Sequence, residues 1–529
     1  MLASAQRRVD ASVAAIAGIT VGGLLLRVAI LLRPIEVIDR LFIPDDSYYT
    51  LTIARSLAHG HGPTVDGSTL TSGFQPLLGF LMVPVFWLTN DPDTALRADL
   101  VLLVLADTAT IVVLSWIAYR LAGRVAAVVA AALWAISPVA ISMAFGGLET
   151  SLAILCELGL VAAWIWAGDH STNRRWVVAG IIAGLAILAR VDAVLLVAVL
   201  SVLQIWRGDR RMLVPFAVAA ITVVAPWVIW CTVMLGTPLP TSGTAAHDLA
   251  TVEPFARKGL AQVLGAVAGG PFETWHGLRG YLVDHGVLAI VLFWATVVGL
   301  LLVAWWWARR EHHAFISAAA LPAFAAGLLV FYAWFGLSWY FTRYLAPVAC
   351  VSTLLIAVVV ARVARDDSGR HAPAVGLLGL LAVVPLLAAV RADAHSITGE
   401  QRQHLAFDAN TGYRSAARTV ANTVPEGSTV GAWQSGAFGY YAGDRFTVVN
   451  LDGVVNPDAA DANRSGHLAF YIRDRHIGWL ADFQLNLVWF ALTGASQLDP
   501  PPSVVSLPNV PQFPPLPRYE IGQIVWPAS

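Results

Sequence analysis

Long apolar stretches alternate with short polar breaks from the start of the chain to about residue 391, and then the pattern stops. Stretches close to the roughly 20 residues that cross a bilayer fall at 11–33, 94–119, 125–144, 149–167, 176–189, 193–206, 212–235, 286–307, 314–335, 344–361 and 373–391. The pattern therefore predicts about eleven membrane-spanning helices. Arg190 and Asp192 interrupt what is otherwise one long run. Two charges at a bilayer midplane are costly, so a turn at a membrane surface is expected there. Residues 74–89 (FQPLLGFLMVPVFWLT) are apolar but short and hold Pro76 and Pro84. A full span there would invert every later loop, so an interfacial or partly embedded helix is expected instead.

Composition fits this reading. Of 529 residues, 57% are hydrophobic and 13% charged, and the mean hydropathy is +0.67. Soluble proteins carry about 25% charged residues, and disordered ones lack this much apolar surface. Both classes are excluded. A net charge of -1 also removes nucleic acid as a partner. Cys156, Cys231 and Cys350 lie in apolar runs and read as small core residues.

Basic residues set the orientation. With the N-terminus inside, the inner segments hold Arg7 and Arg8, Arg120 and Arg124, Arg174 and Arg175, the 207–211 arginines, Arg309 and Arg310, and Arg362, Arg365 and Arg370. The outer segments are poorer in basic residues. The expectation is a multi-pass protein of the cytoplasmic (inner) membrane, with a retained first span and its C-terminal part outside. The transmembrane module is 1–391, with long outer loops at 34–93 and 236–285. Residues 392–529 read as a small extracytoplasmic α/β domain. In it STVGAWQ and RFTVVNLDG form strands around a short helix, HLAFYIRDRHIGWLADF adds a helix and a strand, and a proline-rich extended end runs from Pro500 to Pro517.

The unusual chemistry lies on the outer side. From Tyr48 to His59 the apolar residues have helical spacing, and Asp45 or Asp46 stands at the N-cap. An amphipathic helix on the membrane surface, ended by Gly60 and Gly62, is expected. Adjacent carboxylates beside lipid suit a general base or a metal ligand, and equally a helix cap with a solvated neighbour. Arg190 either grips a phosphate or satisfies Asp192. Glu149 stands at a helix N-terminus, where a carboxylate is favourable for dipole reasons alone. Arg343 lies between Tyr340 and Tyr344 at the outer edge, either an interfacial anchor or a cation for an anionic headgroup. His59, His61 and His247 are outer proton carriers or phosphate ligands, while Asp107 and Glu157 read as helix–helix hydrogen-bonding groups inside spans. No P-loop, dinucleotide fingerprint, HExxH or nucleophilic-serine motif stands in a credible context.

The layout resembles the membrane-embedded glycosyltransferases of the GT-C superfamily. The resemblance is carried by PDDSYYTLTIARSLAHGHGPTVDGSTLTSGFQP (44–76), GLET (147–150), LARVD (188–192) and LPTSG (239–243). The first loop is most similar to that of actinobacterial arabinofuranosyltransferases of cell-wall assembly, with an acidic pair, a surface helix and a G-x-G-P turn. It implies transfer of a sugar from a polyprenyl-phosphate donor to a cell-envelope glycan or glycolipid acceptor on the outer side, by inverting general-base catalysis. The base falls to Asp45 or Asp46, with Asp46 preferred. Arg190, Arg343 and His247 would hold the donor phosphate, and Tyr48, Tyr49, Gln75, Glu149, Asp192 and Tyr344 would contact substrate. Some members of the superfamily need a divalent metal (Mg, Mn or Ca) and others do not; Asp45, Asp46 and Glu149 are the residues to hold one here. Lys258 is the only lysine, which suggests a GC-rich genome and favours arabinofuranose or mannose over aminoarabinose. Two other classes remain: a transporter or flippase of lipid-linked sugars, sensitive at midplane groups such as Asp107, and a non-catalytic glycan-binding scaffold.

Overall fold

The computed structural model describes residues 2–208, 210–245, 286–335, 342–365, 413–442, 445–483, 497–506 and 519–526, with 487 and 490. The membrane part comprises α1 (Leu2–Leu31), α2 (Ile35–Phe42), α3 (Asp46–Ala58), α4 (Pro76–Leu88), α5 (Pro92–Ala135), α6 (Pro138–Phe145), α7 (Thr150–Asp169), α8 (Asn173–Ala189), α9 (Ala193–Trp206) and α10 (Leu213–Leu235). It continues with α11 (Gly286–Ala308), α12 (His313–Ala318), α13 (Ala320–Phe335), a 3-10 turn at Thr342–Leu345 and α14 (Ala346–Val363).

Seven helices among the described residues are long and apolar enough to cross a membrane, fewer than the eleven expected. The expected spans 94–119 and 125–144 are separate helices: the segment α5 is two helices joined at a kink where Gly123 takes φ 74°, the second ends at Ala135, and α6 carries the chain on to Phe145. That left-handed backbone is open to glycine at no steric cost. The turn at Arg190–Asp192 is where the charges placed it, but α9 has only 14 residues. At 1.5 Å per residue this is about 21 Å, short of the roughly 30 Å hydrocarbon core. Residues 74–89 do form a short apolar helix, α4, with Pro76 at its first turn. The span at 373–391 and the boundary at 391/392 lie outside the described residues.

The spans pack around large buried side chains, among them Trp134, Trp164, Trp176 and Trp307. The Trp164 ring stands edge-on to Trp176 and Phe216, at 4.8 and 4.7 Å. One polar set inside the bundle is paired: Arg27 of α1 donates from Nε to Asp107 Oδ2 (2.5 Å), and Trp134 Nε1 donates to Asp107 Oδ1 (2.9 Å). Arg27 also reaches the carbonyl of Ala135 (2.9 Å). Asp107 thus ties α1 to α5. Glu157 is buried too, but its Oε1 has no hydrogen-bond partner among the described residues.

The C-terminal unit adds α15 (Tyr413–Thr423), β1 (Thr429–Ala432), α16 (Gly436–Ala442), β2 (Thr447–Asn450), α17 (Pro457–Arg464), α18 (Leu468–Asp474), β3 (Trp479–Phe483), β4 (Ser503–Ser506) and β5 (Tyr519–Val525). The strands form one sheet in the order β2-β1-β3-β5-β4. The first three run parallel, and β5 and β4 are antiparallel. The expected β1–helix–β2 and helix–β3 segments are present. The proline-rich end, expected as extended chain, contributes the edge strand β4.

Removing one member of the buried Arg27–Asp107 pair strands the other charge. Asp107→Ala is therefore expected to cost about 3–5 kcal/mol, read as a fall in Tm in detergent. The double variant Arg27→Met/Asp107→Leu should recover most of that loss.

Candidate active site

The acidic pair at the start of α3 divides its work. Asp45 is buried, and its carboxylate does not cap its own helix. It instead accepts hydrogen bonds from the backbone N–H groups of Gly436 and Ala437, both at 2.8 Å, at the start of α16 in the C-terminal unit. A Cβ on Gly436 would stand 2.2 Å from the Asp45 carbonyl oxygen, so only glycine allows this approach. Burial pushes the Asp45 carboxyl up to about 7, against the pull of the two N–H donors and with added repulsion from Asp46.

The same contact corrects the reading of α3 as a surface helix with a wet face. Residues 47–54 are all buried, because α4 covers one side and α16 the other. Tyr48 donates to Asp39 and packs against Tyr440 and Tyr441, ring centroids 5.5 Å away. The Tyr49 hydroxyl accepts from Asn450 Nδ2 (3.2 Å) and Ser435 N (3.3 Å). Both tyrosines, expected at substrate, are instead taken up in clamping the C-terminal unit onto the first loop.

Asp46 faces the other way. One of its oxygens lies 2.5 Å from an Arg343 terminal nitrogen, and a third of its side chain is exposed. Arg343 also lies over the Tyr344 ring (5.3 Å), and Arg190 approaches the same ring at 5.7 Å. Tyr344 stacks on Tyr332 at 4.8 Å. Arg190 is saturated: it donates to Asp192 (2.8 Å), Glu149 (3.0 Å) and the Tyr332 hydroxyl (2.9 Å), which in turn donates to Asp192 (2.7 Å). Of the two readings of Arg190, the structure has the self-satisfied pair, with Glu149 added. Its Nε and both terminal nitrogens are taken up by these carboxylates and the tyrosine hydroxyl.

Six of the expected residues thus stand in one polar chain: Asp46, Arg343, Tyr344, Arg190, Asp192 and Glu149. Gln75 sits at the start of α4, half-buried, and its side chain joins no hydrogen bond of this chain among the described residues. His247 lies outside the described residues. The metal set Asp45, Asp46 and Glu149 is not assembled, because each carboxylate is turned to a different partner. Among the described residues no three His, Cys, Asp or Glu side chains are grouped to hold an ion. The motif segments do converge: Thr71 Oγ1 lies 3.2 Å from Thr241 Oγ1, and Thr241 N donates to Ser72 Oγ (3.2 Å).

Sequence reasoning missed Tyr332 and Asp452. Tyr332 is one hydroxyl in an otherwise apolar run. Asp452 follows β2 in NLDG, and its Oδ1 accepts from Val454 N (2.8 Å). Burial pushes it to about 8, and Asp46 and Asp45 add repulsion. The polar NLDG turn after an apolar strand was the available signal.

Residues 75–230 match the family described as dolichyl-phosphate-mannose-protein mannosyltransferase, and residues 398–508 match a domain of unknown function. No curated protein matches the chain in sequence. Among solved structures, it is similar to the archaeal oligosaccharyltransferase AglB from Archaeoglobus fulgidus, in complex with an inhibitory peptide and a dolichol-phosphate. The TM-score is 0.53 at 16% identity, over 88% of this chain and 69% of that one. It is also similar to ArnT from Cupriavidus metallidurans bound to undecaprenyl phosphate, with TM-score 0.51 at 15% identity, over 95% of this chain and 98% of that one. The fold is GT-C-like. This is a multi-pass membrane architecture with a small sheet-containing C-terminal unit.

Three carboxyls where the C-terminal unit meets the first loop are raised by burial: Asp39 to about 6, Asp45 to about 7 and Asp452 to about 8. Their unfolded values lie near 3.9, so between these limits the folded state binds more protons than the unfolded one. Stability falls as pH rises through that window. Tm measured from about pH 4 to pH 8 should therefore decline, and Asp45→Asn should flatten the decline.

Proposed function

We propose that the protein is a membrane glycosyltransferase that moves a sugar from a polyprenyl-phosphate carrier to a cell-envelope glycan or glycolipid on the outer side of the cytoplasmic membrane. The carrying observation is the part-exposed Asp46 carboxylate held against Arg343, beside a saturated Arg190 cluster. The GT-C-like fold, two neighbours bound to polyprenyl phosphates and the family match over 75–230 support the donor class. Mannose or arabinofuranose is the favoured sugar: the matching family's description names mannose, and the first loop resembles arabinofuranosyltransferases.

In the proposed reaction the donor phosphate takes over Arg343 and releases Asp46 toward the acceptor hydroxyl. The acceptor oxygen forms a bond to the anomeric carbon while the bond from that carbon to the phosphate oxygen breaks. The hydroxyl proton passes to Asp46, and the electron pair leaves with polyprenyl phosphate, whose charge Arg343 stabilises. Oriented cations at a departing phosphate are usually the larger contribution and proton removal the smaller. Glu149 and Asp192 hold Arg190, which with Tyr332 braces the Tyr344 ring beneath Arg343. Asp45 does no chemistry in this scheme; it holds the C-terminal unit over the site.

Release of polyprenyl phosphate from mannosyl and arabinofuranosyl donors tests the division between the two aspartates. Asp46→Asn should lower turnover by about 10²–10⁴-fold at unchanged Tm. Asp45→Asn should lower Tm first and turnover through it. Wild-type turnover in a folded Asp46→Asn protein would sink the proposal.

A further inference from the structure

A polar concavity lies far from Asp46. The first half of α5, up to Gly123, and the helices α7 and α14 all begin beside the active site, at Pro92, Thr150 and Ala346, and end near this concavity. The start of α5 is pinned to the C-terminal unit by Asp93–Arg414 (2.5 Å) and by the Tyr440 hydroxyl on the Pro92 carbonyl (2.7 Å). From there to the Gly123 break is about 46 Å at 1.5 Å per residue, more than the roughly 30 Å hydrocarbon core. The concavity therefore stands at the opposite membrane face.

It has a volume of about 520 Å³ and is lined by Arg120, Arg124, Arg365, His312 and Tyr119 around Gly123. The cavity is built, not merely a spread of surface charge. Arg120 is held by two hydrogen bonds to Asp169, at 2.9 and 2.8 Å, and lies 5.1 Å from the Trp116 ring. The Arg365 guanidinium rests on Gly123, where a Cβ would meet it at 2.5 Å. Among the described residues, no carboxylate pairs with Arg124 or Arg365. By contrast, Arg309 and Arg310 near the same face lie over Trp305 and Trp306, at 4.0 and 4.2 Å, and do not line the cavity. Tyr119 and Val125 beside it are 49% and 41% exposed, on helices that lipid surrounds.

We propose that this basin binds the phosphate of an anionic phospholipid headgroup in the leaflet opposite the active site. Planar guanidinium forks suit a phosphodiester, and basic pockets between spanning helices are recognition sites for such headgroups. The exposed Tyr119 and Val125 rim would lie along the acyl chains, which a free phosphate would not use.

The full chain in detergent is titrated with short-chain phosphatidylglycerol, and, in separate arms, with inorganic phosphate, reading Tm and lipid retained. Phosphatidylglycerol should stabilise the wild type, and inorganic phosphate should not compete. Arg124→Gln/Arg365→Gln should bind the lipid about 30-fold more weakly, at roughly fivefold per charge. Arg309→Gln/Arg310→Gln should bind as wild type does. If the glutamine pair fails to fold, Arg124→Lys/Arg365→Lys keeps the charge without the fork and should show an intermediate loss. Equal loss in both arginine pairs would mean spread surface charge and would overturn the proposal. So would undiminished binding by the pocket variants, or displacement of the lipid by inorganic phosphate.

Discussion

The architecture of the site depends on one buried carboxylate. Asp45 accepts both leading N–H groups of Gly436–Ala442 and so fixes the C-terminal unit on α3. Two adjacent acids could otherwise compete for the same surroundings. With Asp45 turned inward, the helical rotation of about 100° per residue turns Asp46 out of that interface and toward Arg343. Tyr48 and Tyr49, the next two residues, strengthen the same clamp through Asp39 and Asn450. One short stretch therefore docks a domain and presents an acid.

The acid is presented to a charge-balanced setting. Arg190 is enclosed by Asp192, Glu149 and Tyr332, which engage its Nε and both terminal nitrogens. A buried cation needs such partners, since leaving one unpaired costs several kcal/mol, about 3–5. The stacked Tyr332 and Tyr344 rings lie between this closed cluster and the Arg343–Asp46 pair. Of the two outer arginines, Arg343 is the one paired with the part-exposed Asp46, and it is this pair that the proposed reaction opens to an incoming phosphate.

Much of this was legible in the residues, for reasons that can be stated. Spans announce themselves because lipid demands long apolar helices, and the charged Arg190–Asp192 turn announced itself by the cost of burying it. The strands β1, β2 and β3 were legible as short apolar runs between turn residues. The break within α5 was legible too, because Arg120 and Arg124 mark a loop in a charge count and the chain leaves helical geometry between them, at Gly123. The amphipathic reading of α3 failed because periodicity describes one helix face at a time. The partner that covers its other face, α16, comes almost 400 residues later in the chain. The same distance hid the roles of Asp45, Tyr48 and Tyr49, and Asp452 enters the site from that remote unit.

The central claim is that Asp46 and a donor phosphate share Arg343 in turn. The most direct measurement is a high-resolution structure of the full chain in a lipid nanodisc with polyprenyl phosphate bound. The account predicts the phosphate on the Arg343 guanidinium, the Asp46 carboxylate released from it, and Asp45 still on Gly436 and Ala437. A bound phosphate elsewhere, with the Asp46–Arg343 pair intact, would contradict it.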